Sequence, residues 1–308
     1  MVSLHTRYFQ SAKKLAAIWL IEIRPIFLLG SVVLAFLGTS IAWLDGFFSL
    51  GQALLSLFGL ILWQISVQVL NDYYDYRSGI DLYTQRTRFS GGSGILPSRI
   101  LKARSVFKLG LLSFVLALPI WSYLIIEKGM LLLPVIIVGG ICVFLYTPVL
   151  TKWRLAEMAT GLCLGLLPIL MFYFVQTGSY TIGVIAPAIA SGILMFEVHL
   201  LNELPDVEAD EIGGRRTLPI ILGIHKASRV YLYGTILFYI WVISWVAVGI
   251  MPQTTLLSLL TIPVNVLVLI AIKYSGNLKN YAPVLWAGAV SYYLSIALLA
   301  LGYIISRL

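Results

Sequence analysis

Gln64-Ile-Ser-Val-Gln-Val-Leu-Asn-Asp-Tyr-Tyr-Asp-Tyr-Arg-Ser-Gly-Ile-Asp81 begins as apolar helix suited to a membrane and ends as a cluster of carboxylates. At 3.6 residues per turn, Gln64, Gln68, Asn71 and Asp75 fall on one stripe, with Asp72 beside it. A polar stripe on such a helix is costly against lipid, so the spacing predicts that it faces a protein-lined cavity. Much later, His199-Leu-Leu-Asn-Glu-Leu-Pro-Asp-Val-Glu-Ala-Asp210 answers it, with Asn202, Asp206 and Asp210 recurring every four residues. Two acidic clusters at the ends of two apolar helices point to a site for divalent cations.

The rest of the chain fits that frame. Of its 308 residues 60% are hydrophobic and only 11% charged, and the mean hydropathy is +0.95. That composition excludes an ordinary soluble domain and predicts an all-α, polytopic helical bundle in a lipid bilayer. The formal charge of +8 does not indicate nucleic acid, because Lys and Arg sit in short segments between apolar runs. Cys142 and Cys163 both lie inside such runs and read as small core residues without a disulfide. Residues 1–14 are polar and basic and read as an interfacial helix, retained rather than cleaved as a signal peptide.

Nine spans are predicted. The first covers about Leu15 to Trp43, with Arg24-Pro25 in its first turns, and the second Phe47 to Leu70. Leu109–Ile126 and Met130–Thr151 follow. Met158 to Phe196 is uncharged and too long for one helix, and Gln176-Thr-Gly-Ser-Tyr-Thr181 divides it into the fifth and sixth. Val230–Ile250, Thr255–Ile272 and Tyr281–Ser306 complete the set. This threading puts 19 of the 21 Lys and Arg residues on the side of the N-terminus, opposite only Lys128 and Arg307. The asymmetry predicts an integral cell-membrane protein with a cytoplasmic N-terminus, and both acidic clusters on that same face. Asn71-x-x-x-Asp75 and Asn202-x-x-x-Asp206 are offset by 131 residues. They suggest one domain over residues 1–308 built from two pseudo-repeat halves, about 1–150 and 151–308.

Hard divalent cations such as Mg²⁺ take oxygen ligands and share their shell with phosphate and water. Asn71, Asp72, Asp75, Asn202, Asp206 and Asp210 offer those oxygens. Arg86, Arg88, Lys152, Arg154, Arg215 and Arg216 offer charge suited to phosphate oxygens. Metal and cations beside an apolar cavity fit a ligand with a diphosphate head and a hydrocarbon tail. Against this stands the plainer reading that acids at helix ends are solvated loop flanks. The matched spacing of two clusters on one face outweighs it. His199 reads as a satisfied core histidine rather than a catalytic one. Glu197, deep in the sixth span, is a candidate for acceptor binding or proton handling. Tyr73, Tyr74, Tyr146, Phe172, Tyr173 and Phe174 are packing residues first, whose ring faces also suit a carbocation.

At this point the residues resemble a known family. Asn71-Asp-Tyr-Tyr-Asp75 followed by Gly79-Ile-Asp81 resembles the first aspartate-rich motif of the UbiA superfamily of intramembrane prenyltransferases. Asp206-x-x-x-Asp210 resembles the second. The nine spans and the Arg24-Pro25 pair extend the likeness over nearly the whole chain. The general pattern has a third acid eight residues after the Asn, where this chain has Gly79; its acid comes at Asp81, as in the menaquinone branch. Tyr146-Thr147 with Lys152, Tyr173-Phe-Val-Gln-Thr-Gly178, and Gly214-Arg-Arg-Thr-Leu218 with Gly223 are similar to MenA-like 1,4-dihydroxy-2-naphthoate polyprenyltransferases.

The resemblance implies Mg²⁺ held by Asn71, Asp72, Asp75, Asp81, Asn202, Asp206 and Asp210. It implies a polyprenyl diphosphate and 1,4-dihydroxy-2-naphthoate as substrates, bound with help from Arg24, Gln68, Arg88, Tyr146, Lys152, Arg215 and Arg216. Asp72, Asp75, Asp206 and Asp210 would be catalytic, with Asp72 or Asp75 nearest to act on the phenolic proton, and the ring carboxylate would leave as CO₂. Three alternatives stand beside this expectation. One is another acceptor (homogentisate, 4-hydroxybenzoate or a glycerophosphate lipid precursor). The others are an ion-coupled transporter and a scaffold without turnover.

Overall fold

Pro25 sets the first boundary of the fold. A computed structural model describes residues 14–84, 86–87, 90–274 and 281–308 of the protein. The segment 14–22 is helical, but the helix stops at Arg24, whose φ of 45° and ψ of 69° are left-handed. Proline excludes the helical conformation from the residue before it, so the apolar run from Leu15 to Trp43 becomes two pieces rather than one span. The N-terminal reading of an interfacial helix falls largely on residues 1–13, outside the described residues.

Nine helices long and apolar enough to cross a membrane follow among the described residues: α1 (Pro25–Leu44), α2 (Leu50–Ser78), α3 (Ala103–Lys128), α4 (Met130–Leu150), α5 (Ala156–Thr177), α6 (Ile182–Ile212), α7 (Ile224–Ala247), α8 (Gln253–Ile272) and α9 (Ala282–Arg307). Their order and number match the sequence reading; their ends do not. α2 runs a further eight residues beyond Leu70, to Ser78, where Gly79 at φ 84° caps it. α6 continues to Ile212, because Pro205 inserts a single 3-10 turn (Leu204–Asp206) without ending the rod. At 1.5 Å per residue both are about 45 Å long, more than the roughly 30 Å hydrocarbon layer, so their acidic ends extend the rods past it. The turn expected at 176–181 is present, closed by Gly178 at φ 74°.

α2 packs along α3, α1 lies against α5 and α9, and α6 lies against α5 and α7. Leu37, Ile41, Phe172, Phe174 and Phe238 fill the interior. Outward-facing Leu112, Leu116, Ile240 and Leu267 are half exposed, as lipid-facing residues of an integral membrane protein are. α4 and α5 each contain a π-helical turn, Tyr146–Leu150 and Leu162–Leu166. Where α5 crosses α6, the backbones touch through small residues. A methyl group on Gly165 would sit 2.8 Å from Gly192 Cα and 2.8 Å from the Ser191 carbonyl oxygen. Neither atom can swing aside, so overpacking here is expected to cost about 1–3 kcal/mol. Gly165→Ala should lower the melting temperature in detergent, while Gly30→Ala, where the added carbon meets nothing within 4 Å, should change it little.

Candidate active site

α1, α2, α4, α5, α6 and α9 enclose one large cavity with an empty volume, mouth included, of about 1850 Å³. Its flank is apolar, built from Leu34, Leu60, Trp63, Val67, Val143 and Leu164. Its other end is polar, because α2 and α6 both bring their acidic stretches to it. Gln64, Gln68, Asn71 and Asp75 line it together, as the α2 stripe predicts, and Asn202, Asp206 and Asp210 face them from α6. Residues 131 apart in sequence therefore share one space.

Arg215 joins the two stretches. Its Nη2 donates to Asp75 Oδ1, and its Nη1 donates to Asp210 Oδ1 at 2.8 Å. Burial works to discharge the guanidinium, but the Asp75 and Asp210 carboxylates override it and hold its pKa above the ordinary arginine value. Asp81 lies in the same space, and its carboxyl is pushed up to about 7 by burial and then by the charges of Asp75 and Asp72. Asn71 donates its amide N–H to Thr147 Oγ1 at 3.1 Å, which leaves its carbonyl oxygen as the open atom. Asp206 Oδ1 is buried without a hydrogen-bond partner among the described residues.

These oxygens fit Mg²⁺. Six hard donors, Asn71, Asp75, Asp81, Asn202, Asp206 and Asp210, line one cavity. Among the described residues, no three His, Cys, Asp or Glu are grouped to hold an ion by themselves. The donor set thus suits an ion that completes its shell from a phosphate ligand and water.

Four expected residues are placed elsewhere. Asp72 does not line the cavity. Its Oδ1 is 3.0 Å from Arg24 Nη2, and its Oδ2 accepts the Ser93 backbone N–H at 2.8 Å. In this structure the Asp72 carboxylate ties Arg24 to the loop that carries Ser93. Lys152 is exposed and lines a smaller adjoining cavity behind Asp75 and Arg215. Arg216 is exposed, with its backbone N–H on the Thr151 carbonyl at 2.8 Å. Neither cation lines the main cavity; in the turn after α6 the residue that does is Arg215. Arg88 lies outside the described residues. Arg24, Gln68 and Tyr146 line the cavity as expected. Glu197 does not; it is buried and accepts from Thr235 Oγ1 at 3.0 Å, facing α7.

Two groups escape the sequence reading. Glu22, on the helical segment before Arg24, accepts from Ser93 Oγ at 2.6 Å. With Asp72 and Arg24 it pins the loop Ser90-Gly-Gly-Ser-Gly94, whose Ser90, Gly91 and Gly92 roof the polar end. Gly92 sits at φ 69°, and a methyl group there would stand 3.3 Å from Asp72 Oδ1 and 3.4 Å from Asp81 Oδ1. The second group is His199 with Glu203. His199 Nε2 is 2.5 Å from the Tyr146 hydroxyl and 3.0 Å from Glu203 Oε1, and the ring lines the cavity. It is therefore no sealed core histidine. The signal was available, since His199 and Glu203 are one turn apart on the same helix as Asn202 and Asp206.

Two outcomes follow from this geometry. Arg215→Gln strands two buried carboxylates, a loss of about 3–5 kcal/mol by the general behaviour of broken buried pairs. A thermal melt should show that loss and its partial recovery when Asp75→Asn and Asp210→Asn are added. Burial and then the Asp72 charge push the Glu22 carboxyl up from 4.5 to about 7. A carboxyl raised in the folded state contributes stability fully below its unfolded pKa and loses it as pH climbs through the folded one. Acidification through about pH 7 should therefore raise the melting temperature, and Glu22→Gln should shrink that gain; an equal gain in both proteins would rule the latch out.

The model of the UbiA prenyltransferase family matches residues 31–282. The 1,4-dihydroxy-2-naphthoate octaprenyltransferase of Bacillus subtilis (strain 168) is 29% identical over 244 residues, 78% of this chain and 77% of the relative. The enzyme of the same name from Escherichia coli (strain K12) is 28% identical over 229 residues, 68% of this chain and 70% of its own length. Among solved structures, a UbiA homolog from Archaeoglobus fulgidus bound to DMAPP and Mg²⁺ superposes with a TM-score of 0.63 at 17% identity, over 91% of this chain and 98% of that one. The last likeness establishes the fold.

Proposed function

The chain belongs to the UbiA prenyltransferase family, and from that membership we propose that it transfers a polyprenyl group from a polyprenyl diphosphate to 1,4-dihydroxy-2-naphthoate with Mg²⁺. Diphosphate and CO₂ would be the other products. Membership makes the protein a prenyltransferase, which removes the transporter and the inactive scaffold as readings. The acceptor rests on the names of the two bacterial relatives. Mg²⁺ rests on the oxygen donor set and on the archaeal homolog bound to DMAPP and Mg²⁺.

One observation carries the donor substrate: a single cavity holds carboxylates and Arg215 at one end and an apolar flank at the other. A diphosphate head and a hydrocarbon tail need those two environments joined. Asn71, Asp75, Asp81, Asn202, Asp206 and Asp210 would hold the metal, which when bound supplies positive charge for the departing diphosphate. Arg215 and Arg24 would add fixed positive charge at the polar end. The loop roof over that end keeps water from the reacting carbon, and the Tyr146 and Trp63 faces suit an allylic cation. The Lys and Arg distribution favours a cytoplasmic position for the face where the carboxylates cluster, so the head would arrive from that side and the tail from lipid.

The purified protein incubated with 1,4-dihydroxy-2-naphthoate and a polyprenyl diphosphate should yield a prenylated, decarboxylated product by mass spectrometry. Chelation of Mg²⁺ should abolish it, and Asp206→Asn should lower turnover by 100-fold or more. Product from homogentisate or 4-hydroxybenzoate but not from the naphthoate would move the acceptor; full activity in Asp206→Asn would remove the metal assignment.

A further inference from the structure

Turnover of a phenolic acceptor needs a group to take the hydroxyl proton, and the carboxylates nearest in sequence are committed elsewhere. Asp72 is paired with Arg24 and the Ser93 N–H. Asp75 and Asp210 are both paired with Arg215. His199 is placed differently. Its Nε2 is anchored by the Tyr146 hydroxyl at 2.5 Å and Glu203 at 3.0 Å. Its Nδ1 has no hydrogen-bond partner among the described residues, and the ring lines the cavity one turn before Asn202.

We propose that His199 is the general base of the reaction, with Nδ1 taking the phenolic proton of the acceptor and Glu203 acting as the positioning residue that fixes the ring. The proposal deepens the reading above and rests on it. With Nε2–H directed at Glu203 Oε1, the imidazole carries its lone pair on Nδ1, the nitrogen left for the acceptor. The Tyr146 hydroxyl holds the same edge of the ring from α4. Other charged groups near enough to act on the ring are Glu157, Asp210 and Arg215.

The step balances. The O–H bond breaks, an N–H bond forms at Nδ1, and the electron pair stays on oxygen and enriches the ring. The allylic C–O bond breaks with its pair going to diphosphate, and the new C–C bond forms from the ring. For the naphthoate, CO₂ then leaves with its bonding pair kept by the ring, and the proton on His199 returns to the phenolate oxygen.

The test is steady-state kinetics of His199→Asn with whichever phenol the wild-type protein turns over, so that a wrong acceptor and a wrong base give different results. Loss of a general base is expected to lower kcat by about 100-fold or more at neutral pH. KM for the prenyl diphosphate and affinity for a non-reacting thiolo-diphosphate analogue should stay within about 2-fold. The defect should shrink as pH rises, because a phenol that ionises unaided needs no base. Glu203→Gln should give a smaller kcat loss with the same pH trend, and serves alone if His199→Asn does not fold. Unchanged kcat, or a loss of equal size at every pH, would overturn the assignment.

Discussion

Everything at the polar end depends on one constraint: buried carboxylates cannot face each other without a counter-charge. Asp75 comes from the end of α2 and Asp210 from the end of α6, and Arg215 sits between them. In a low-dielectric interior that arrangement both offsets their repulsion and fixes the distance between two long helices. Ligand chemistry inherits the geometry. A diphosphate brought in with a divalent ion would meet the same charges that hold the two helix ends together, so binding would exchange partners rather than create charge in an apolar space.

Around this pair the structure separates two kinds of acid. Some face the cavity with at least one open oxygen, as Asp81 and Asp206 do. Others act as ties, as Asp72 does between Arg24 and Ser93. The tie matters for function at one remove, because it holds the glycine loop down and keeps Arg24 at the cavity wall. Arg24 itself adopts a left-handed backbone conformation that non-glycine residues rarely take.

Much of this was legible beforehand. The apolar runs determined nine spans, and the 3.6 period put Gln64, Gln68, Asn71 and Asp75 on one face. Matched spacing joined them to Asn202 and Asp206. Asp72 and Asp75 differ by three positions, about 60° short of a full turn, and that angle separates the tie to Arg24 from the cavity wall. What periodicity cannot resolve is a difference of one residue outside a helix. Arg215 and Arg216 are adjacent, yet only one points inward, because the turn after α6 sets their directions. His199 reads as core, since a lone histidine on an apolar face commonly is. Its one-turn spacing to Glu203 is legible, but its contact with Tyr146 on α4, 53 residues away, is not. Glu22 was invisible for the same reason: its partner is Ser93, 71 residues away.

The two π turns carry a consequence for comparing this protein with its relatives. A π turn holds one more residue than an α turn for nearly the same rise, and here one spans Tyr146–Leu150 and the other Leu162–Leu166. A relative whose helices are regular at those places would align correctly only with a single-residue gap in each. Threading this chain onto such a template without the gaps would rotate every later side chain of the helix by about 100°, turning the buried Phe172 and Phe174 out of the interior while leaving the backbone trace almost unchanged.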